Sequence, residues 1–331
     1  MREGISVIVC CFNSEQRIAE TLRFLAGQKV SADLSWEVIV VNNASTDHTR
    51  EVALKSWNSS ASGIPFQVID QPLPGLAMSR QKGIEVSQYD SVIFCDDDNH
   101  FDTNYVSRAF SLLKVHSDVG IIGGWVRPKL HLHPGLWIKD FYPALAIGKQ
   151  AEQDGYVEWV FGAGMVIRKK VFSILHERNI RLLLSDRIGT KQTSGGDAEM
   201  CMATCFVGLK IFYSNSLILD HNISANRLTK KSFIKGNYRN VFHVVYLYLM
   251  ERLMNDRSAD QGKLYTACFK KRVSLIFHFI PRMFLGKHKF YSFIMLYQNV
   301  QLFYWLLTRT ASFEHTYHQI KSNLYYGGKL G

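Results

Sequence analysis

Ser91-Val-Ile-Phe-Cys95 runs without a break into Asp96-Asp97-Asp98. The first five residues suit a buried strand, and the three acids end it. Adjacent carboxylates repel one another and raise each other's pKa values unless a cation lies among them. Hard oxygen ligands suit Mg²⁺ or Mn²⁺, which take few protein carboxylates and share the rest of their shell with water and phosphate oxygens. Asp96 and Asp98, at alternate positions of an unwinding strand end, can both reach one ion. An acidic run in isolation is commonly only a solvated turn, so its surroundings decide the reading.

Upstream, strand and helix patterns alternate. Ile5–Cys11 is apolar and β-branched, Asn13-Ser14-Glu15 supplies a turn and cap, and residues 16–28 carry Ile18, Leu22 and Leu25 at helical spacing. Trp36–Val41 reads as a second buried strand, ended by the polar run Asn42-Asn-Ala-Ser-Thr-Asp47. A helix over 49–59, a strand over 66–69, a turn at Pro72-Leu-Pro-Gly75 and a helix over 76–88 follow. This alternation predicts an α/β fold with a mostly parallel central sheet flanked by helices. Ligands of such sheets sit outside the carboxyl ends of the strands, where Asn13, Asn42–Asp47 and Asp96–Asp98 all fall. Beyond residue 120 the pattern loosens into short elements with glycine turns. After Leu228 it becomes basic, aromatic and helical. The expected organisation is a catalytic domain over 1–228, divided near 115 into nucleotide and acceptor halves, and a basic helical extension over 229–331.

The composition, 331 residues with 47% hydrophobic and 20% charged, excludes a disordered chain, a collagen and a small disulfide scaffold. The six cysteines form no CxxC pair and read as buried free thiols in a reducing, cytoplasmic setting. The net charge of +11 is uneven: residues 1–220 carry 22 Lys and Arg against 24 Asp and Glu, and residues 221–331 carry 17 against 4. A basic C-terminal third suggests an anionic partner, a nucleic acid or a membrane surface. No targeting signal is expected at the N-terminus. The longest apolar candidate, residues 290–307, holds Gln298, Asn299 and Gln301, and so reads as a packed or interfacial helix on the inner face of a membrane, not a span.

Taken together, Val7-Ile-Val-Cys-Cys-Phe-Asn13, Val38-Ile-Val-Val-Asn-Asn-Ala-Ser-Thr-Asp47, Gly75-Leu-Ala-Met-Ser-Arg80-Gln-Lys-Gly83 and Asp96-Asp-Asp98 resemble, in order and spacing, the family 2 glycosyltransferases of GT-A fold. The resemblance covers about residues 4–228. It implies inverting transfer of a sugar from a nucleotide-diphosphate donor, most simply a UDP-sugar, to a hydroxyl of a glycan or lipid-linked glycan, with Mn²⁺ or Mg²⁺ on the diphosphate. Position by position, it places Cys10, Phe12, Asn13, Asn42, Asn43, Arg80, Asp96, Asp97, Gly164 and Arg227 at the donor. It assigns the metal to Asp96, Asp98 and His221. Asn42 stands where the family commonly has Asp, and an amide can still pair with a base edge. Asp47 is expected to cap the next helix. Gly162-Ala-Gly164 with Arg168 resembles the segment behind the acceptor pocket, and a tight structural turn is its alternative. Gly195-Gly-Asp-Ala-Glu-Met200 resembles the catalytic segment, with Asp197 as the base and Glu199 orienting the acceptor. Trp125 and Trp159 are candidate sugar-stacking walls, although core packing is the commoner fate of Trp.

Two other readings compete. A nucleotidyltransferase shares the βαβ core and paired carboxylates, but places a Gly-rich basic loop after the first strand. Here Cys-Cys-Phe-Asn-Ser-Glu-Gln16 has neither Gly nor Lys. A nucleic-acid-binding protein would account for the basic C-terminal third and leave the aspartates without a role, so no nucleic-acid partner is expected.

Overall fold

Along β1 (Arg2–Cys11) the residues from Ile5 to Cys11 are all buried, because helices cover both faces of the strand. The alternation of side chains sorts these residues into two apolar layers. Ile5, Val7, Val9 and Cys11 pack on one side with α1 (Ile18–Ala26), and Ile8 and Cys10 face the other. The same parity divides Val38 and Val40 from Ile39 and Val41 in β2 (Trp36–Asn43).

The computed structural model describes residues 2–132, 134–184, 186, 195–237 and 241–325. After β2 come α2 (Thr49–Ser60), β3 (Phe66–Gln71), α3 (Leu76–Val86) and β4 (Tyr89–Asp96), each within three residues of its expected bounds. The chain continues through β5 (Asn99–Phe101), α4 (Tyr105–Val115), β6 (Val119–Leu130), β7 (Gly155–Val157), β8 (Val166–Arg168), α5 (Lys169–Glu177), α6 (Gly196–Phe206) and β9 (Lys210–Ile223). Five helices follow: α7 (Lys230–Asn237), α8 (Val241–Asn255), α9 (Gln261–Leu285), α10 (Lys289–Thr308) and α11 (Thr310–Tyr325).

The sheet runs β3-β2-β1-β4-β8-β6-β9-β5, with β7 also on β9. It is parallel across β3, β2, β1 and β4, as the βαβ alternation requires. Beyond β4 it is mixed, since β8 runs antiparallel to both β4 and β6 while β6 and β9 are parallel. Two pairings position the site. β1 beside β4 sets Cys10 next to Asp96. β5 against β9 sets Asn99 opposite His221, which carries the strand end after Asp96 over to the second half of the sheet.

The C-terminal helices are part of this packing. Val245, Leu249 and Leu253 of α8 and Phe313, Ile320 and Leu324 of α11 share the layer of Ile8 and Ile39. Of the six cysteines, five are buried as expected, and Cys205 on α6 is exposed.

α3 crosses β1 closely enough that a Cβ on Gly83 would lie 2.3 Å from Cγ2 of Ile8. Gly83→Ala is therefore expected to lower stability by about 1–3 kcal/mol through overpacking, although alanine is the better helix former. Trimming the obstacle with Ile8→Val should recover part of the loss. Urea unfolding of the single and double variants measures both effects, and additive losses would contradict the contact.

Candidate functional site

β4 delivers its last residue, Asp96, to the sheet edge, and the chain then turns through Asp97 and Asp98 into β5. The three carboxylates go different ways. Asp97 is held by Arg17 at 2.6 Å and by the Ser14 hydroxyl, and its backbone carbonyl accepts from Thr21 at 2.8 Å. Burial, then the charge of Asp98, pushes its carboxyl above the usual range, with Arg17 opposing. Asp97 thus fastens the acidic turn to the start of α1. Asp98 faces the other way, its two oxygens 3.4 Å from His221 Nε2 and 3.4 Å from Arg227 Nη1. The latter two atoms also lie 3.4 Å apart. These separations exceed ordinary charge-assisted hydrogen bonds. His221 is buried, and its Nδ1 has no partner. Cys10, Phe12, Arg17, Asp96, His221 and Arg227 line this end of the cleft.

The opposite end is built around Asp197, the second residue of α6. Its carboxylate accepts from the backbone N–H of Gly162 at 3.2 Å and of Ala198 at 2.9 Å. Burial, then the charge of Asp186, pushes Asp197 above the ordinary aspartate range, while Arg80 pulls it back. Arg80, buried on α3, pairs with Asp186 at 3.1 Å and lies 5.0 Å from the centroid of the Phe94 ring. Asp186 also accepts from the N–H of Gly196 at 2.8 Å, which fixes the start of α6. A Cβ on Gly162 would lie 2.9 Å from Arg80 Nη2 and 3.3 Å from the Asp197 Cβ, so a side chain there would press on both groups. Asp96, His221 and Arg227 line this end too, opposite a wall of Leu145, Trp159 and Phe161. The two ends form one cleft along the carboxyl edge of the sheet.

Several expected donor or acceptor groups have other partners. Glu199 is buried, and its two oxygens accept from the N–H groups of Leu183 at 2.7 Å and Leu184 at 2.8 Å and from the Tyr246 hydroxyl at 2.5 Å. It clamps the segment before α6 to α8. Asn13, at φ 48, turns its side chain onto the N–H of Thr46 at 2.8 Å. Asn43 secures the following loop through the carbonyls of Gln71 and Leu73 and the N–H of Gly75. Asn42 donates to Asp70 at 2.9 Å, leaving its buried Oδ1 without a partner. Asp47 accepts from the Thr49 N–H at 3.1 Å and so tethers the start of α2, as expected. Gly164, at φ 71, is behind the cleft, where a Cβ would meet Leu219 and the Tyr105 hydroxyl that donates to its carbonyl. The turn alternative describes Gly164, and Gly162 is the glycine at the cleft. Arg80 stands at the Asp197 end and is absent from the acidic-end lining. Trp125 lies under Lys149 and outside the cleft, whereas Trp159 is 45% exposed on its wall. The Cys10 thiol, pushed up to about 11 by burial, is no nucleophile. Sequence reading missed Arg17 and Asp186, because each acts on a residue distant in the chain and neither sits in a recognisable spacing.

The model of Glycosyl transferase family 2 matches residues 6–175, just over half of the chain. The chain belongs to that family. Among curated relatives, the cholesterol galactosyltransferase of Borreliella burgdorferi is 31% identical over 117 residues, covering 35% of this chain and 31% of the relative. The poly(ribitol-phosphate) beta-N-acetylglucosaminyltransferase TarS of Staphylococcus aureus is 30% identical over 118 residues, covering 35% and 20%. The matches thus span a third or less of these relatives' lengths. Structural likeness is longer. S. aureus TarS 1-349 in complex with UDP-GlcNAc aligns over 99% of this chain and 93% of its own at TM-score 0.51 and 15% identity. The mannosyltransferase PcManGT from Pyrobaculum calidifontis, in complex with GDP-Man and Mn²⁺, aligns over 98% and 88% at TM-score 0.57 and 16% identity. The GT-A fold expected for a family 2 member is the fold found.

Replacing Glu199 by Ala should cost about 3 kcal/mol or more, because three donors lose a buried charged acceptor. Tyr246→Phe should cost only about 1–2 kcal/mol, since the two backbone donors keep theirs. Denaturant unfolding tests both, and a Glu199→Ala change below about 1 kcal/mol would return that carboxylate to the cleft.

Proposed function

We propose that this family 2 chain transfers a glycosyl group, with inversion, from a UDP-sugar to a hydroxyl of a glycan or lipid-linked glycan in cell-surface polysaccharide synthesis. The observation that carries the reading is the single cleft with a cationic–acidic end and a raised-pKa carboxylate at the other. A nucleotide-sugar donor and free thiols both fit the cytoplasm.

Arg227 is the charge that meets a diphosphate, beside His221, while Cys10 and Phe12 flank the nucleoside end. Asp197 takes the proton of the acceptor hydroxyl. Its two backbone hydrogen bonds fix its direction, and its raised pKa makes it a stronger base than an exposed aspartate. Trp159 offers a face to the apolar side of a sugar. A base at one end and the leaving group at the other suit single displacement, hence inversion.

Among the described residues no three carboxylate, histidine or cysteine groups converge into a ready metal site. Asp98 and His221 do converge, with the long 3.4 Å contact between them. That donor pair fits a cation that takes two protein ligands and completes its shell on diphosphate oxygens and water. Asp98 and His221 would hold Mn²⁺ or Mg²⁺, with Asp96 adjoining. When bound, the ion offsets the charge that builds on the departing diphosphate.

Asp197→Asn should lower kcat by about 10²–10⁴-fold with UDP affinity nearly unchanged, read by steady-state kinetics beside calorimetry. Near-normal turnover would move the base elsewhere. The acidic limb of kcat/KM should lie above the ordinary aspartate value of 3.8, because burial and Asp186 oppose the charge of Asp197. Activity then falls as pH drops through that limb, and a limb at or below 3.8 would contradict the assignment. UDP should bind more weakly in EDTA than in Mn²⁺, with Asp98→Asn abolishing the difference. Equal affinity in both would remove the cation from the site.

A further inference from the structure

α9 and α10 form an antiparallel hairpin. Tyr265 donates to the carbonyl of Leu306 at 2.9 Å, Arg272 donates to Asn299 at 3.1 Å, and the rings of Phe279 and Tyr291 lie 6.3 Å apart. The base of this hairpin packs on the α/β core, with Leu264, Leu302 and Leu306 buried. Its free end packs on one side only, through Ile294, Phe290 and Tyr291, and is open on the other. Phe277, Ile280 and Phe284 recur along one face of α9 and are 71%, 40% and 63% exposed, Leu285 is 87% exposed, and Phe293 on α10 is 37% exposed. Single exposed apolar residues are ordinary, but a cluster of this size at one tip marks a contact surface.

We propose that this tip docks on an anionic membrane surface and so holds the mouth of the cleft against it. Charge selects the partner. Residues 261–313 contain eight Lys and Arg and no Asp or Glu, and Arg282, Lys287 and Lys289 flank the tip itself. A second copy meeting this patch through a two-fold axis would bring like charge onto like charge. An anionic leaflet instead attracts each basic side chain while the aromatic and aliphatic groups enter the headgroup region. Among the described residues no helix is long and apolar enough to cross a membrane, so the hairpin lies in the interface.

The tip also sits beside the acceptor wall. His288 Nδ1 pairs with Asp140 at 2.8 Å, and Phe290 meets the Trp137 ring at 5.1 Å. Leu136, next to Trp137, is 80% exposed, and a few residues on, Pro143 to Ala146 line the cleft. Docking through Leu285 and Leu136 therefore presents that wall to a hydroxyl carried by a membrane-anchored lipid. This second half rests on the glycosyltransferase reading; the docking does not.

The test uses the full chain with vesicles of phosphatidylcholine alone or mixed with phosphatidylglycerol, sedimented at low and high salt. Binding is expected only to the anionic vesicles, weakening as salt screens the charges. The double variant Phe284→Asp/Leu285→Asp, at positions too exposed to disturb the core, should bind about tenfold or more weakly. Its UDP titration and unfolding should match the original protein. Equal binding by variant and original, equal binding to neutral vesicles, or no binding at low salt would each overturn the proposal. So would a dimer in sedimentation velocity that the double variant dissolves while neither protein binds vesicles. Vesicle binding without UDP binding would uphold the docking and refute the enzyme reading instead.

Discussion

A strand packed on both faces can offer chemistry only where it ends, and that constraint organises the whole molecule. β1 is buried from Gly4 to Cys11 and β4 from Ser91 to Cys95, so the atoms they offer to the cleft are confined to Cys10, Asp96 and the turn that follows. The turn would leave Asp98 pointing into solvent were it not for β5. Three residues of ladder against β9 bring His221 and Asn222 alongside, with the Asn222 N–H donating to the Asp98 carbonyl at 2.8 Å. The meeting of Asp98, His221 and Arg227 is thus a consequence of backbone pairing between distant segments. The three side-chain contacts among them, at 3.4 Å each, are longer than ordinary charge-assisted hydrogen bonds.

The other end of the cleft is ordered by electrostatics. Arg80 is a buried cation facing three carboxylates, Asp186, Asp96 and Asp197. Its direct ion pair is with Asp186; burial, then the charge of Asp186, raises the Asp197 pKa, and Arg80 opposes them only in part. Placing both carboxylates in one low-dielectric region is expensive unless each also accepts backbone hydrogen bonds. Both do, from Gly196 and from Gly162 and Ala198. The arrangement leaves Asp197 buried and hydrogen-bonded beside a cation whose direct ion pair is with Asp186.

What was legible in the sequence follows from the range of each interaction. The elements of the first hundred residues were legible because their apolar periodicity is local, and the Asp96–Asp98 edge because a strand end is visible in sequence. Asp197 was singled out only through resemblance. Asn13, Asn43 and Glu199 look like ligand-binding groups by type, yet each is taken up by backbone of a neighbouring turn, a competition that sequence does not display. Arg17 and Asp186 were invisible for the complementary reason: their partners lie 80 and 106 residues away. The mixed half of the sheet was equally hidden, since three-residue strands such as β7 and β8 carry too little pattern to set direction.

The basic C-terminal third looked like an appendage because its charge sets it apart. Its apolar residues place it differently. Tyr246 completes the Glu199 clamp, and α8 and α11 close one face of the sheet, so these helices support the residue two positions from Asp197. Burying that face leaves the opposite sides of α9 and α10 to carry lysines and exposed aromatics. The same helices therefore stiffen the Asp197 end of the cleft from within and set the sign of the surface without. A chain whose first 220 residues are nearly neutral acquires its basic side from the layer that completes its core.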